Sequence, residues 1–363
     1  MLTHNANTPH QVLLALPLLV QAEPLVSRRA ASDSSELHCR LIYPDPDAPG
    51  ASHGSGRPCG STFDAQRFLG ALQTRVLGRV LLTAGATAST QVVVQENVAK
   101  LPDGLLFVAD KQFVGKGRGG NVWESPDGCL MFSAVQQLDI PGQRLPFVQY
   151  IVSLAVVQAV QAVAAAALQA AGLGSSSSGS SIDVRIKWPN DVYAGQLKLG
   201  GILCHSSYRE RKFYVIMGVG LNLANQQPTT CVDALIEQAA AAAAAAARGG
   251  QQQQGQQAQQ RSIAPVSRED LLAEIMKRLE PMLERLAAEG FAPFEEDYCR
   301  HWLHSGQQVQ LEEGGQRVPV TIRGLSSNGY LLATDAAGER YELHPDGNSL
   351  NFFNGLVRKK LPA

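Results

Sequence analysis

The spacing of apolar positions changes character along this chain, and the changes mark its elements. From Phe63 to Leu77 (FDAQRFLGALQTRVL) apolar residues recur at helical spacing behind Asp64, which predicts a helix. Arg79 to Gly85, Leu105 to Asp110 and Cys129 to Leu138 are short apolar runs that read as strands. A long helix rich in Ala, Val and Gln is predicted from Phe147 to Ala171, stopped by Gly172. Val184 to Trp188 (VRIKW) reads as a strand entering a Pro-Asn-Asp turn, and Leu197 to Tyr208 as the hairpin that returns. Lys212 to Leu223 (KFYVIMGVGLNL) is a long apolar strand with glycines near its end. Helical period resumes from Arg268 to Glu289, behind a Ser267-x-x-Asp270 variant of the capping box. From Gly306 to Lys360 the pattern alternates, with turn signals EEGG, SSNG, DAAGE and HPDGN at short intervals, as in a small all-β barrel.

Segments without such a pattern set the boundaries. Gln11 to Leu16 (QVLLAL) reads as a short buried strand of an N-terminal region, and Tyr43 to Ser61 is a linker rich in Pro, Gly, Ser and Asp. Ser175 to Ser181 is a low-complexity insertion. Ala239 to Gln260, Ala followed by Gln and Gly, is expected to be a solvated loop with transient helix and no chemistry. The expected organisation is an N-terminal extension over residues 1–61, a mixed α/β domain over 62–305 with a low-complexity insertion at 238–260, and a β module over 306–363.

Composition narrows the classes. The chain has 363 residues, 45% of them apolar, enough to fill a sizeable core. Lys plus Arg number 31 against 32 Asp plus Glu, a net charge of -1, so no global field draws it to nucleic acid or anionic lipid. The apolar run Val12 to Val20 is broken by Pro17 and falls short of the roughly 20 residues a membrane helix needs. Met1 to Gln11 lacks the Lys or Arg of a secretory signal. The six cysteines are scattered and form no CxxC pair, which suits a reducing, cytoplasmic setting. The acid-free stretch before Glu23, followed by Arg28 and Arg29, is transit-like and makes chloroplast import the competing expectation. Cys299, His301 and His304 lack a second cluster with ligand spacing and are read as structural; no residue is assigned as a direct metal ligand.

The candidate chemistry starts at Gly115-Lys116-Gly117-Arg118-Gly119-Gly120, two cations among four glycines. Glycine lets backbone approach a ligand closely, and the cations suit a phosphate. No Lys-Ser or Lys-Thr ends the run, and no downstream acid completes a dinucleotide fingerprint, so by itself it reads as a mobile surface loop or an anion cradle. Lys187-Trp188-Pro189-Asn190-Asp191 lies at a strand end. Lys198-Leu199-Gly200-Gly201 adds a cation beside two glycines, and Gly218-Val219-Gly220-Leu221-Asn222 ends a buried strand with an amide. Lysine is rarely buried unless paired, so three basic sites on strand ends are hard to explain by packing. Ser89-Thr90 alone reads as an ST-turn, and Cys129 and Cys204 as apolar packing.

The run GKGRGGNVWES from Gly115 to Ser125, followed in order by KWPND, KLGGIL, GVGLN and YELHPDGNS, resembles the biotin–protein ligases, closest to plant and algal holocarboxylase synthetases. The similarity covers roughly Leu82 to Lys360. The bacterial branch usually has arginines at the positions of Lys116, Gly120 and Asn121 here; Arg118 is retained.

The resemblance implies an α+β fold, a mixed sheet with helices mainly on one face, followed by an SH3-like barrel. It implies ATP-dependent activation of biotin as biotinyl-5′-AMP, with Mg²⁺ on the triphosphate, and transfer to a lysine of biotin carboxyl-carrier domains of carboxylases such as acetyl-CoA carboxylase. No nucleic acid or membrane partner is implied, and the oligomeric state is left open. On the matching positions, Lys198 and Arg118 are the catalytic cations, and Ser89, Thr90, Gln91, Gln112, Gly115, Lys116, Gly117 and Gly200 join them around biotin. Gly119, Gly120, Asn121, Trp123, Lys187, Asn190, Asp191 and Asn222 fall on the ATP side. No barrel residue matches a pocket motif. A lipoate ligase, a non-catalytic biotin sensor and a DNA-binding biotin repressor are the alternatives; the N-terminal region lacks the basic recognition helix the last requires.

Overall fold

Eight strands form one mixed sheet around which the molecule is built. The structure is a computed structural model and describes residues 40–42, 61–173, 182–225, 227–249, 263–313, 316–345 and 348–359. In chain order the sheet uses β1 (Arg40–Ile42), β2 (Val80–Ala84), β3 (Leu105–Ala109), then β6 (Cys129–Leu138) after the two-residue strands β4 (Gly115–Lys116) and β5 (Val122–Trp123). It is completed by β7 (Val184–Lys187), β8 (Asp191–Ala194), β9 (Leu197–Arg209) and β10 (Lys212–Asn222), in the spatial order β1-β2-β3-β6-β10-β9-β8-β7. Only β2 and β3 run parallel, and the helix Thr90–Asn97 between them makes the crossover such a pair needs.

Period-two alternation sorts the sheet's side chains between two cores. Leu81, Leu106 and Val108 face the larger one, with the helices Ala65–Ala71, Leu145–Ala170, Val232–Gly249, Arg268–Glu289 and Ala292–His301. Leu82, Leu105 and Phe107 face the smaller one, against Val93, Val94 and Val98. The expected α+β class is the observed one. The segment Gly142–Ala170 is long and apolar enough to cross a membrane by length and composition, yet it is the central helix of the larger core.

The helices Thr90–Asn97, where Ser89-Thr90 alone reads as an ST-turn, and Ala292–His301 are not among the expected elements. Leu197–Arg209 is one strand and not a hairpin, and two further elements differ from expectation. The helix predicted over Phe63–Leu77 spans only Ala65–Ala71, capped by Asp64, whose carboxylate accepts from the Arg67 N–H. The buried carboxylate of Glu280 takes the N–H groups of Arg75, Val76 and Leu77 at 2.6–2.8 Å, which fixes that stretch in a non-helical course. Second, the Ala run is helix rather than loop: Val232–Gly249 is continuous, with Val232, Ile236 and Ala240 buried at four-residue intervals. Alanine's helix propensity and one buried stripe suffice. The predicted strand at Gln11–Leu16, most of the linker, the Ser175–Ser181 insertion and residues 250–262 lie outside the described residues. Arg40–Ile42, within the N-terminal extension, pairs antiparallel with β2.

The C-terminal module is a six-stranded sheet built of β11 (Gln308–Glu313), β12 (Gln316–Leu325), β13 (Leu331–Thr334), β14 (Arg340–Leu343), β15 (Asn348–Asn351) and β16 (Leu356–Lys359). Its core residues Val309, Ile322, Leu331 and Val357 are continuous with the larger core, so the module is packed on the first domain and not tethered to it.

Candidate active site

One cavity of about 420 Å³ opens where β6, β8, β9, β10 and the start of the Thr90–Asn97 helix meet the Gly115–Trp123 loop, and its lining divides into a polar floor and a cationic wall. The floor is buried. Ser89 occupies the cap position of the Thr90–Asn97 helix without capping it, and its hydroxyl has no partner among the described residues. Gln112 Oε1 accepts the Thr90 N–H at 2.8 Å, and the Thr90 and Ser133 hydroxyls lie 2.9 Å apart. Ser133 donates to Gln91 Oε1 at 3.1 Å, while Gln91 Nε2 donates to the Leu203 carbonyl at 3.2 Å. Gly218 makes room for this amide: a Cβ there would lie 2.3 Å from Gln91 Oε1. The result is a pre-ordered set of amides and hydroxyls with one buried hydroxyl left over, and buried polar groups ordinarily have partners.

The wall is cationic and open. Lys116, Arg118 and Lys198 line it with Gly117, Gly119 and Asn121, and Gly119 and Gly120 hold φ of 68° and 84°, a conformation glycine adopts without strain. The loop closes on itself through β4–β5 pairing and a Gly117 N–H to Asn121 carbonyl bond of 2.8 Å. Trp123 folds back against Gly220, where a Cβ would come within 2.6 Å of its ring, and its indole N–H is buried without a partner among the described residues. Lys198 Nζ sits 2.7 Å from Asp191 Oδ1 and 5.9 Å from the Trp123 ring centroid. Cation and aromatic face attract, so the lysine, the acid and the indole form one cluster at the cavity's centre.

The Lys187–Asp191 segment is held from behind. Trp188, only 1% exposed, donates its backbone N–H to His304 Nε2 at 3.0 Å and its indole N–H to the Tyr150 hydroxyl at 2.8 Å; that hydroxyl donates to the Gly329 carbonyl of the C-terminal module. His304 must therefore be neutral, and burial pushes its pKa down to about 4. Asn190 and Asp191 reach the lining, and Asn190 Nδ2 bonds the Ile202 carbonyl at 3.0 Å.

The structure brings together Ser89, Thr90, Gln91, Gln112, Lys116, Gly117, Arg118, Gly119, Asn121, Trp123, Asn190, Asp191 and Lys198. It places the other five outside the lining. Gly115 backs Trp123, Gly120 faces open space in the loop, and Gly200 packs against the Gly220 carbonyl. Lys187 lies between the Tyr193 and Phe353 rings, where burial lowers its pKa, and Asn222 is buried beneath Lys198. Sequence reasoning missed Ser133, which occupies an apolar strand, and quoted Gly218 and Gly220 within a motif without giving them a site role; Pro345 of the C-terminal module also reaches the lining. Pro345 lies in the YELHPDGNS segment, which carries the resemblance and a turn signal but no assigned pocket role. Burial pushes the Cys129 and Cys204 thiols up to about 12, which leaves neither as a nucleophile and suits their packing role. His304 has both ring nitrogens engaged, and His301 Nδ1 lies 2.8 Å from the Asp297 carbonyl.

Known proteins agree with this geometry. Residues 84–222 match the biotin/lipoate A/B protein ligase family, and residues 304–349 match the biotin protein ligase C-terminal domain. Biotin–protein ligase 2 of Arabidopsis thaliana is 42% identical over 305 residues, 83% of each chain, and its chloroplastic biotin–protein ligase 1 is 41% identical over 83% of this chain and 75% of its own. A biotin protein ligase from Aquifex aeolicus, solved with biotin and ATP, shares the fold at a TM-score of 0.51 and 22% identity, covering 72% of this chain and 94% of that one. With the motifs, the matched domains and relatives above 40% identity in agreement, the chain belongs to the biotin/lipoate A/B protein ligase family, on its biotin–protein ligase branch.

Proposed function

We propose that this chain activates biotin with ATP and transfers it to a lysine of a carrier domain of biotin-dependent carboxylases. The observation that carries the reading is a cavity that joins a floor of amides and hydroxyls, with Ser89 Oγ unpartnered among the described residues, to three cations. A ureido ring offers two N–H donors and one carbonyl, and a site built from hydroxyls and amides discriminates such a group.

At the other end two anions must meet. A carboxylate oxygen of biotin attacks the α-phosphorus of ATP, the bond to the bridging oxygen breaks, and pyrophosphate leaves. Lys198, Lys116 and Arg118 all line the cavity, and cations there would offset the repulsion and the charge that builds in the transition state. Asp191 holds Lys198 until the ligands arrive. In the second step the carrier lysine's nitrogen attacks the acyl carbon, AMP leaves, and the amine loses its proton. No enzyme nucleophile is needed, because the mixed anhydride is already activated.

Magnesium commonly binds through one or two carboxylates and substrate phosphates. Asp191 is the one carboxylate lining the cavity among the described residues, so the residues suit a Mg²⁺ ion that arrives with ATP and neutralises phosphate charge. The acetyl-CoA carboxylase carrier domain is the acceptor we propose, and the cytoplasm or the chloroplast the compartment. The test is incubation with MgATP, that carrier domain, and labelled biotin or labelled lipoate in parallel. Biotin label on the carrier lysine is expected. Lipoate label alone, or none from folded protein, overturns the reading.

A further inference from the structure

The ladder between β8 and β9 breaks its register at the lysine. Val192 pairs with Gly200 and Tyr193 with Lys198, which leaves Leu199 as an extra residue. In an unbroken strand residues 199 and 201 would share a face. Here Leu199 is fully buried in the larger core, while Lys198 and Gly201 both line the cavity. A bulge re-aims side chains in this way, at the expense of regular backbone pairing. On the other side of β9, pairing with β10 ends at Gly200.

The Lys198 carbonyl, past that end, is held by side chains. Thr229 Oγ1 donates to it at 2.5 Å and Asn222 Nδ2 approaches it at 3.4 Å. Asn222 Nδ2 also donates to Thr229 Oγ1 at 3.2 Å, and Asn222 Oδ1 accepts from the Cys129 thiol at 3.5 Å. The four groups form a short chain from the buried end of β6 to the lysine's backbone. Neither Thr229 nor its turn belongs to the cavity lining.

We propose that Thr229 is a positioning residue, which with Asn222 clamps the Lys198 carbonyl and holds the bulge that turns the ammonium into the cavity. The clamp fixes the backbone from which the long lysine side chain extends, so a small shift there becomes a larger one at Nζ. Misplacement of a reacting group by an ångström slows chemistry far more than it weakens binding. The proposal rests on Lys198 acting in adenylate formation, and the experiment separates the two claims.

Biotin-dependent pyrophosphate exchange is measured on the full chain for the wild type, Thr229→Val, Thr229→Ser and Lys198→Ala, with melting temperatures. Thr229 is exposed, so its variants are expected to fold and melt as the wild type does. Thr229→Val should lower kcat roughly tenfold with KM for biotin and for ATP within about twofold, and Thr229→Ser should restore kcat. If Lys198→Ala abolishes exchange and Thr229→Val leaves kcat within about twofold, the clamp is refuted while the lysine's role stands. A raised KM at unchanged kcat makes Thr229 a ligand contact, and equal loss in the Val and Ser variants shows that the hydroxyl is not what matters; either overturns the clamp. Exchange that survives Lys198→Ala removes the reading beneath it.

Discussion

The floor and the cationic wall of the cavity solve opposite problems with opposite materials. The floor takes Ser89, Thr90, Gln91 and Ser133 from regular elements, all buried, and Thr90, Gln91 and Ser133 are cross-linked to one another and to neighbouring backbone. The wall takes Lys116, Gly117, Gly119 and Asn121 from a loop whose own order rests on one two-residue strand pair and two turn bonds. Conformational entropy explains the division. The floor's order is established by folding, so recognising a neutral ring costs little further ordering. The glycine loop has few contacts of its own and its four glycines make ordering costly, so its closure is expected to depend on phosphate contacts at the reacting end.

Replacements can break this contrast, and the largest expected effect is at the junction of the two regions. Lys198→Ala should lower pyrophosphate exchange about a hundredfold or more, the loss of one charge-assisted contact to a developing anion. Exchange within tenfold of wild type would take the lysine out of the chemistry.

The buried support behind the cavity should also respond to pH. His304 has a folded pKa of about 4 against an ordinary 6.5. Between those values the unfolded chain binds more protons, so stability is complete above about pH 6.5 and is lost as pH falls toward 4. The full loss is roughly 3 kcal/mol. Urea unfolding at pH 7 and pH 5 should show a larger drop for the wild type than for His304→Gln, and equal drops would deny the histidine this role.

Smaller effects separate floor from wall. Gly218→Ala sets a methyl against Gln91 Oε1, so the amide must leave its bonds to Ser133 and Leu203. About a tenfold weaker biotin affinity is expected by calorimetry, with ATP affinity unchanged. Gly220→Ala displaces the Trp123 ring instead. A few-fold faster escape of the adenylate, read as label on free amines, is expected there with biotin affinity intact. If both glycine variants change the same quantity, the division between the regions fails.

How much of this was legible varied with the physical signal. The strands at Leu105, Cys129 and Lys212 were clear because uninterrupted apolar runs between turns have few other uses. The cations were clear because lysine and arginine beside glycines on strand ends resist a packing explanation. The Val232–Gly249 helix was hidden because alanine gives no contrast between its two faces. Ser133 was hidden for a related reason: a small residue inside an apolar strand reads the same whether it packs against a helix or lines a cavity. The one-residue bulge at Leu199 and the clamp at Thr229 leave no compositional trace, since a register shift is set by the pairing partner. Glu280 lies within a regular helical pattern, and only the structure shows that it halts another helix.

The contrast between a formed floor and a free wall is tested most directly by hydrogen exchange on the full chain, empty and with biotin plus MgATP. Peptides covering residues 87–94 and 129–138 should be protected from the start and change little, while the peptide covering 115–123 should exchange freely when empty and gain protection with ligand. A loop equally protected in both states, or a floor that gains protection as the loop does, would contradict the account.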